Sequence, residues 1–228
     1  MDLATASLDD QYIGCEAQML EKVKKENYLL TEIQKSQTFT SAWSGARSII
    51  SALTNLTGLT TEEATALSTY TMPDFHCEFN AAVRIGGGVN YNAFPFKALH
   101  FYMTIASKKL KAKSPSCVDV FRGSTEPIKA SVGSTVRFGT FTSSSLDRQM
   151  AEHFGKETVF TIKTCQGVYV GHYSFAPYEK EVLIPPYEKF NVASVKGNQI
   201  TLISVEGDTN SVNNCLAGKS QLRNSLQC

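Results

Sequence analysis

The chain has 228 residues, and its 42% of hydrophobic residues can form the core of one globular domain or of two closely packed lobes. Its 22 Lys and Arg residues nearly balance 21 Asp and Glu residues. This balance argues against nucleic acid as the main partner, because a surface that follows phosphates needs an excess of basic residues. No apolar run is long enough to span a bilayer as a helix.

Helical signals dominate the first half of the chain. Apolar residues recur every three or four positions between Phe39 and Leu53, which predicts one amphipathic helix. Thr60 and Glu63 form a capping-box pattern at the start of a second helix that runs to Tyr70. Two further helices are predicted, one over residues 75–84 that ends at Gly86-Gly87-Gly88, and one with Pro95 in its first turn that continues to Leu110.

After residue 114 the pattern changes to short apolar segments separated by turns, which is typical of strands. Helices first and strands second predict an α+β fold rather than a doubly wound sheet. We therefore predict a single domain over residues 1–228, with a mainly helical part at 1–114 and a mainly β part at 115–228. Strands are predicted around Val118 and Val120 and over 136–138, 158–163, 167–173, 181–184, 190–195 and 199–205, the last two forming a hairpin.

The six cysteines bear on the compartment. They show no CxxC pair and no Cys/His spacing typical of zinc sites. Six buried thiols in a cytosolic protein are one reading, but an even number placed near both chain ends fits disulfides better. Met1 is followed by a polar stretch, so either the protein stays inside the cell or its leader has been removed. Because the cysteines favour disulfides, we expect a secreted or cell-surface protein whose leader has been removed. Asn55-Leu56-Thr57 is a glycosylation sequon, a pattern that is also common by chance.

The first segment with the chemistry of a binding site is Arg122-Gly123, at the end of an apolar strand. The planar guanidinium of Arg122 can bind a diphosphate with paired hydrogen bonds. Gly123, which has no side chain, would let a flat ligand approach the backbone. Taken alone, this pair is better explained as a surface arginine before a turn.

Two polar segments complete the pattern. Ser143, Ser144 and Ser145 follow an aromatic segment and could order a ligand or a carboxylate, although taken alone they are better explained as an ordinary polar strand or loop. Glu179 and Glu181 precede a very apolar strand, and residues two apart in extended chain point to the same side. Alone, these glutamates are a charged strand start of a common kind.

In this order, Arg, Ser and Glu-x-Glu, the three segments resemble the active-site signature of the arginine-specific mono-ADP-ribosyltransferases, and most closely that of the vertebrate enzymes. The segments over residues 79–84, 96–102, 121–123, 136–145 and 181–185 also resemble segments of that family, so the similarity spans most of the chain. The resemblance implies a helical N-terminal part packed on a core of two β-sheets, with NAD as substrate in the cleft between them and no metal.

The resemblance also implies a role for each site residue. Arg122 would hold the NAD diphosphate, Gly123 would lie near the nicotinamide amide, and Phe154 would face the nicotinamide ring. Ser143 would hold Glu181, which would bind the nicotinamide ribose and stabilise the cation that forms as nicotinamide leaves. Glu179 would pair with the acceptor guanidinium and take its proton.

The resemblance further implies two disulfides, Cys15–Cys215 and Cys117–Cys165, with Cys77 and Cys228 as a third pair or as free thiols. Its partners would be proteins with an exposed arginine, the enzyme would act as a monomer, and a lipid anchor could follow the end of this chain. Two other functions stay open: an NAD glycohydrolase that uses the same site with water as acceptor, and a non-enzymatic surface protein braced by disulfides.

Overall fold

A computed structural model of the protein describes residues 1–73, 75–205, 207 and 210–217. These residues divide into two compact units. The helical unit contains Thr5–Ala106 together with the chain from Ser211 on, and the sheet unit contains Met1–Ala4 and Ser107–Asn210. The organisation of the chain as one domain stays a prediction.

The helical unit confirms the helices predicted from the sequence. The Thr60 hydroxyl accepts a hydrogen bond from Glu63 N at 3.2 Å while the Glu63 carboxylate accepts one from Thr60 N at 2.9 Å, so the capping box is formed. Pro95 precedes the last helix instead of lying in its first turn. The helices are α1 (Glu16–Lys25), α2 (Tyr28–Lys35), α3 (Gln37–Ser51), α4 (Thr61–Tyr70), α5 (Phe75–Ile85) and α6 (Lys97–Lys113), and the residues of α6 from Ser107 on belong to the sheet unit.

An aromatic cluster lies at the centre of this unit. Phe39 stacks on Phe75 with ring centroids 4.9 Å apart, and Phe96 meets both rings edge to face. The buried carboxylate of Glu32 accepts hydrogen bonds from Ala98 N and Leu99 N at the start of α6, where an anion satisfies amides that lack helical partners. Aromatic packing and this cap together fix the start of α6.

The segment from Ser211 to Ala217 is bound to residues near the start of the helical unit, between Asp9 and Cys15. The predicted Cys15–Cys215 disulfide is present. Beside it the Asp9 carboxylate accepts hydrogen bonds from Val212 N and Asn213 N, both at 2.8 Å. The beginning and the end of the helical unit are therefore held together covalently and by hydrogen bonds to a buried carboxylate.

Removing this disulfide is expected to destabilise the protein strongly. The bridge joins residues 200 positions apart. In the chain-entropy treatment, opening so long a loop lowers the free energy of unfolding by roughly 5 kcal/mol. Denaturant unfolding of a Cys15→Ser/Cys215→Ser variant should show a clearly lower midpoint than the parent. An unchanged midpoint would mean that the hydrogen bonds to Asp9 suffice to hold the two ends.

The sheet unit contains the predicted strands and two elements that the sequence did not predict clearly, β3 and α7. Its elements are β1 (Val118–Ser124), β2 (Thr135–Val136), β3 (Thr142–Ser145), α7 (Arg148–His153), β4 (Thr158–Thr164), β5 (Val168–Tyr169), β6 (Glu181–Ile184), β7 (Phe190–Lys196) and β8 (Gln199–Ser204). β7 and β8 form the predicted hairpin, and β4 pairs with β8 in parallel.

The α+β class is confirmed, but the strands form one sheet and not two. Its order is β2-β7-β8-β4-β1-β3-β6-β5. β1 pairs with β4 over its whole length, whereas it pairs with β3 only at Phe121 and Ser145. The expectation of two separate sheets is therefore corrected, because this single pair links two otherwise distinct groups of strands.

Two strands are shorter than predicted. β2 ends at Val136 because the next residue, Arg137, turns to the N-terminal segment, where its guanidinium donates to Leu3 O at 2.7 Å and to Ala4 O at 3.0 Å. β5 ends at Tyr169, since Tyr173 N donates to Val170 O and so closes a turn.

The remaining cysteines partly follow the prediction. The second predicted disulfide, Cys117–Cys165, is present in the sheet unit. Cys77 is exposed and unbridged. Cys228 lies outside the described residues, so only the state of this cysteine stays a prediction.

Candidate active site

The residues predicted to act together all lie in the sheet unit, and four of them lie on neighbouring strands. Arg122 and Gly123 lie near the end of β1, Ser143 lies on β3, and Glu181 is the first residue of β6. β3 and β6 are antiparallel, with Ser143 opposite Leu183 and Ser145 opposite Glu181. Because side chains alternate between the faces of a sheet, Ser143 and Glu181 share one face.

The other face of β6 packs in the core. Val182 and Ile184 are buried in the same cluster as Val120 and Phe160. This alternation confirms the prediction that Val182 and Ile184 pack on the face opposite Glu181. An apolar cluster on one side thus supports the polar side chains on the other.

Glu181 is a buried carboxyl group with a perturbed pKa. Only 4% of the residue is exposed, and burial raises its pKa to about 7, because a carboxylate loses hydration in the interior. A hydrogen bond from the Ser143 side chain opposes this effect, the Glu179 carboxylate adds to it, and the Arg122 charge opposes it. Glu181 can therefore change charge near neutral pH.

Arg122 is joined to the same group of residues. Its Nη1 donates to the backbone oxygen of Ser143 at 2.7 Å. Its positive charge favours the ionised form of Glu181 and so lowers the pKa of that group. Arg122 donates a hydrogen bond to Ser143, and both residues lower the pKa of Glu181, so the three form one connected set.

Glu179 is near Glu181, but not in the way that the sequence suggested. It lies in a short 3-10 turn (Pro177–Glu179), and Lys180 after it has the left-handed backbone conformation with φ 49°. The chain from Glu179 to Glu181 is therefore not extended, as the expectation of a shared side assumed, and β6 begins at Glu181 as predicted. Partial burial raises the pKa of Glu179, and its charge raises the pKa of Glu181, so the two carboxylates interact.

Gly123 is needed here for a reason other than the one expected. A Cβ atom at this position would overlap the backbone oxygens of Ala151 and Gly155. Close packing of the chain on itself therefore demands this glycine, whether or not a ligand approaches. The same packing places Phe154, which is 56% exposed at the end of α7, beside the end of β1.

Three further residues, Ser145, Asp147 and Lys180, touch the site and were not singled out individually by sequence reasoning. The Ser145 hydroxyl donates to Glu179 O at 2.7 Å, and Lys180 Nζ lies 3.2 Å from an Asp147 carboxylate oxygen. The position of Ser145, directly opposite Glu181, follows from the β3–β6 register. Nothing in the sequence marks the pairing of Lys180 with Asp147, because the two residues are 33 positions apart and are brought together by the pairing of β3 with β6.

This arrangement suits reactions that develop positive charge. A buried carboxylate can stabilise a cation next to it strongly, because little water screens the interaction. An arginine near it can hold a phosphorylated ligand. Across the part of the chain that the structure describes, no three His, Cys, Asp or Glu side chains are grouped so that they could hold a metal ion.

The sequence is similar to proteins of known activity. A family described as NAD:arginine ADP-ribosyltransferase matches residues 1–210. NAD(P)(+)--arginine ADP-ribosyltransferase 1 of Gallus gallus is 37% identical over 209 residues, which are 87% of this chain and 66% of that protein. GPI-linked NAD(P)(+)--arginine ADP-ribosyltransferase 1 of Oryctolagus cuniculus is 41% identical over 84% of this chain and 65% of that protein. The chain thus spans just under two thirds of the length of these relatives.

A solved structure supports the same relationship. A mutant of the eukaryotic mono-ADP-ribosyltransferase ART2.2, crystallised in complex with NADH, has a TM-score of 0.82 and 35% sequence identity to this chain. The match covers 94% of this chain and 97% of that one. None of the helices with described residues is long and apolar enough to cross a membrane.

Proposed function

The chain belongs to the NAD:arginine ADP-ribosyltransferase family, and we propose on that basis that it transfers ADP-ribose from NAD to arginine side chains of proteins and releases nicotinamide. The observation that carries this proposal is the connected set of Arg122, Ser143 and Glu181, in which a buried carboxylate lies beside an arginine. The chain spans only part of its relatives, so their names support the proposal without deciding it.

In the proposed reaction, the bond between nicotinamide and ribose C1′ breaks, and its electron pair leaves with nicotinamide. Glu181 accepts a hydrogen bond from the ribose 2′-hydroxyl and stabilises the positive charge that develops on the ribose. Ser143 keeps the Glu181 carboxylate in place through their hydrogen bond. Arg122 binds the diphosphate, Phe154 lies against the nicotinamide, and the Gly123 backbone contacts the nicotinamide amide.

The acceptor is then a guanidinium, which is a poor nucleophile while it is protonated. Glu179 pairs with it, and one of its nitrogens forms the new bond to C1′. The proton that this nitrogen loses passes to Glu179. The raised pKa of Glu179 makes it a better proton acceptor than an ordinary surface carboxylate.

We also propose where and with what the protein acts. Its two disulfides fit an oxidising compartment, and relatives named as ecto-enzymes or GPI-linked enzymes act at the cell surface, so we place this protein outside the cell. Its partners are proteins with an exposed arginine. All proposed site residues come from one chain, which is consistent with a monomeric enzyme.

The direct test is incubation with NAD labelled in the ADP-ribose part, a small guanidino compound and a panel of proteins. We expect nicotinamide release that rises with the guanidino compound, and label that is bound to arginine. Nicotinamide release that does not depend on the acceptor would identify an NAD glycohydrolase instead. Absence of NAD turnover by the folded protein would favour the non-enzymatic surface protein.

The pH dependence provides a second test of Glu181. Because the ionised form stabilises the developing cation, kcat/KM for NAD should fall about tenfold per pH unit below the pKa of the free enzyme. That pKa is about 7. Ser143→Ala should move the midpoint of the profile to higher pH, since the lost hydrogen bond lowers the pKa of Glu181 in the parent. A profile that stays flat between roughly pH 5 and pH 8, the range around the pKa of this group, would mean that the ionisation of Glu181 does not control the activity.

A further inference from the structure

The turn that carries Glu179 is bound to the segment that follows β3. Ser145 Oγ donates to Glu179 O at 2.7 Å and accepts a hydrogen bond from Asp147 N at 2.9 Å. Leu146 N donates to Lys180 O at 3.2 Å, and Lys180 Nζ lies 3.2 Å from Asp147 Oδ2. We call these contacts of Ser145, Leu146 and Asp147 with Glu179 and Lys180 the turn clasp.

The two glutamates are fixed in different ways. Glu181 belongs to β6, and its position follows from strand pairing and from the buried residues after it. Glu179 lies outside the strand, and the contacts that fix its backbone are those of its own turn and of the turn clasp. A change at the turn can therefore move Glu179 while Glu181 stays in place.

Lys180 sets the angle between these two residues. Its φ of 49° and ψ of 45° place it in the left-handed region, which a lysine adopts at a cost. In extended chain at this position, Glu179 and Glu181 would point to the same side. The left-handed residue removes that alternation, so the direction of the Glu179 side chain depends on the backbone of Lys180.

We propose that Lys180 is a specificity-determining positioning residue: its left-handed backbone, held by the turn clasp, directs Glu179 towards the acceptor and so sets how much ADP-ribose reaches arginine instead of water. This inference rests on the proposed function. In both outcomes the bond from C1′ to nicotinamide breaks in the same way. The outcomes differ in whether a guanidino nitrogen or a water oxygen forms the new bond and gives up its proton.

The backbone of Lys180 and its contacts contribute more to the position of Glu179 than the ion pair between Lys180 and Asp147 does. The side chains of Lys180 and Asp147 are 55% and 39% exposed, and exposed ion pairs of this kind hold a conformation weakly. The Ser145 hydroxyl is partly buried, and its bond to Glu179 O is short. The experiment must therefore separate the backbone of residue 180 from its charge.

Two substitutions of Lys180 provide that separation. Lys180→Asn and Lys180→Val both remove the ammonium group, but asparagine tolerates the left-handed region and a β-branched valine does not. We expect Lys180→Val to lower transfer to a small guanidino compound about tenfold while NAD hydrolysis stays within about twofold. Lys180→Asn should keep both rates within about threefold.

A second pair of variants tests the clasp without altering residue 180. Ser145→Ala should lower the ratio of transfer to hydrolysis, and Ser145→Thr, which keeps the hydroxyl, should restore it. A further readout is the pH profile of hydrolysis. If Glu179 moves away, its repulsion of the Glu181 charge weakens, so the midpoint should move to lower pH in Lys180→Val.

The outcomes distinguish this inference from the proposed function. If the parent transfers ADP-ribose and Lys180→Val keeps the ratio of the parent, or loses both activities equally, Lys180 does not set specificity. If Lys180→Val does not fold, an unchanged ratio in Ser145→Ala overturns the inference in the same way. A parent that transfers nothing to the guanidino compound overturns the proposed function, and with it the role of Lys180.

Discussion

Glu181→Gln is expected to lower NAD cleavage by at least about 100-fold, whether arginine or water is the acceptor. Glutamine has almost the same size and can still accept the hydrogen bond from Ser143, but it has no negative charge to stabilise the cation on the ribose. The loss should appear in kcat and kcat/KM together, because the lost interaction exists only in the transition state. Nicotinamide release at saturating NAD, with and without a guanidino acceptor, measures it.

The same substitution should make the protein more stable at neutral pH. Burial holds the pKa of folded Glu181 at about 7, above its ordinary value of 4.5. As pH rises between these values, the unfolded chain loses its proton first, so stability falls and remains lower above pH 7. Glutamine does not titrate, so the free energy of unfolding of Glu181→Gln should exceed that of the parent by up to about 3 kcal/mol at pH 8. Near pH 4 this difference should be small.

Glu188→Gln is the matched control in the same unit. Glu188 is also a buried glutamate, but its carboxylate accepts hydrogen bonds from Cys165 N at 2.7 Å and from the Ser204 hydroxyl at 2.7 Å. Its substitution should leave NAD cleavage by the folded protein nearly unchanged. If Glu181→Gln kept more than about a tenth of the parent rate, the carboxylate would not act on the transition state as proposed.

Elements with a strong local pattern could be predicted from the sequence. β6 was predicted with its correct limits, because four apolar or charged residues are followed directly by two prolines. α3 was predicted from its apolar period, and α4 from its capping box. In each case the residues that define the element are neighbours in the sequence, so their pattern alone carries the information.

α7 and β3 were harder to predict because the signal is short or polar. α7 has six residues, too few to show a helical period, although Asp147 caps it by accepting hydrogen bonds from Gln149 N and Met150 N. β3 consists of Thr and Ser residues only, and its pairing with β6 and β1 defines it as a strand. Polar residues can form this strand because the strands paired with it, β1 and β6, supply buried apolar side chains to the core.

The geometry of the site depended on contacts that the sequence does not display. The need for Gly123 arises from the backbone of Gly155, 32 positions later in the chain. The turn at Glu179 is followed by a left-handed lysine, whereas glycine or asparagine would have signalled that conformation. The chemical roles that the resemblance implies stay predictions, and the relative direction of the two glutamates could not be predicted from the sequence.

The two glutamates can be separated by activity even though they are close. Glu179→Gln is expected to reduce transfer to arginine by about 100-fold or more, since the variant neither attracts the guanidinium nor takes its proton. Hydrolysis of NAD to free ADP-ribose should stay within a few-fold of the parent, because Glu181, Ser143 and Arg122 are unchanged. Parallel measurement of labelled acceptor and of free ADP-ribose gives both rates from one reaction.

The electrostatics of the pair add a signature that a general loss of structure would not produce. The Glu179 charge raises the pKa of Glu181 in the parent. Its removal should therefore move the pH profile of the remaining hydrolysis to lower pH. Glu179→Asp keeps the charge and should leave that midpoint nearly in place, although its shorter side chain should still weaken transfer. Equal loss of transfer and hydrolysis in a folded Glu179→Gln protein would assign this residue to NAD cleavage itself. Unchanged transfer would mean that another group takes the proton or that arginine is not the acceptor.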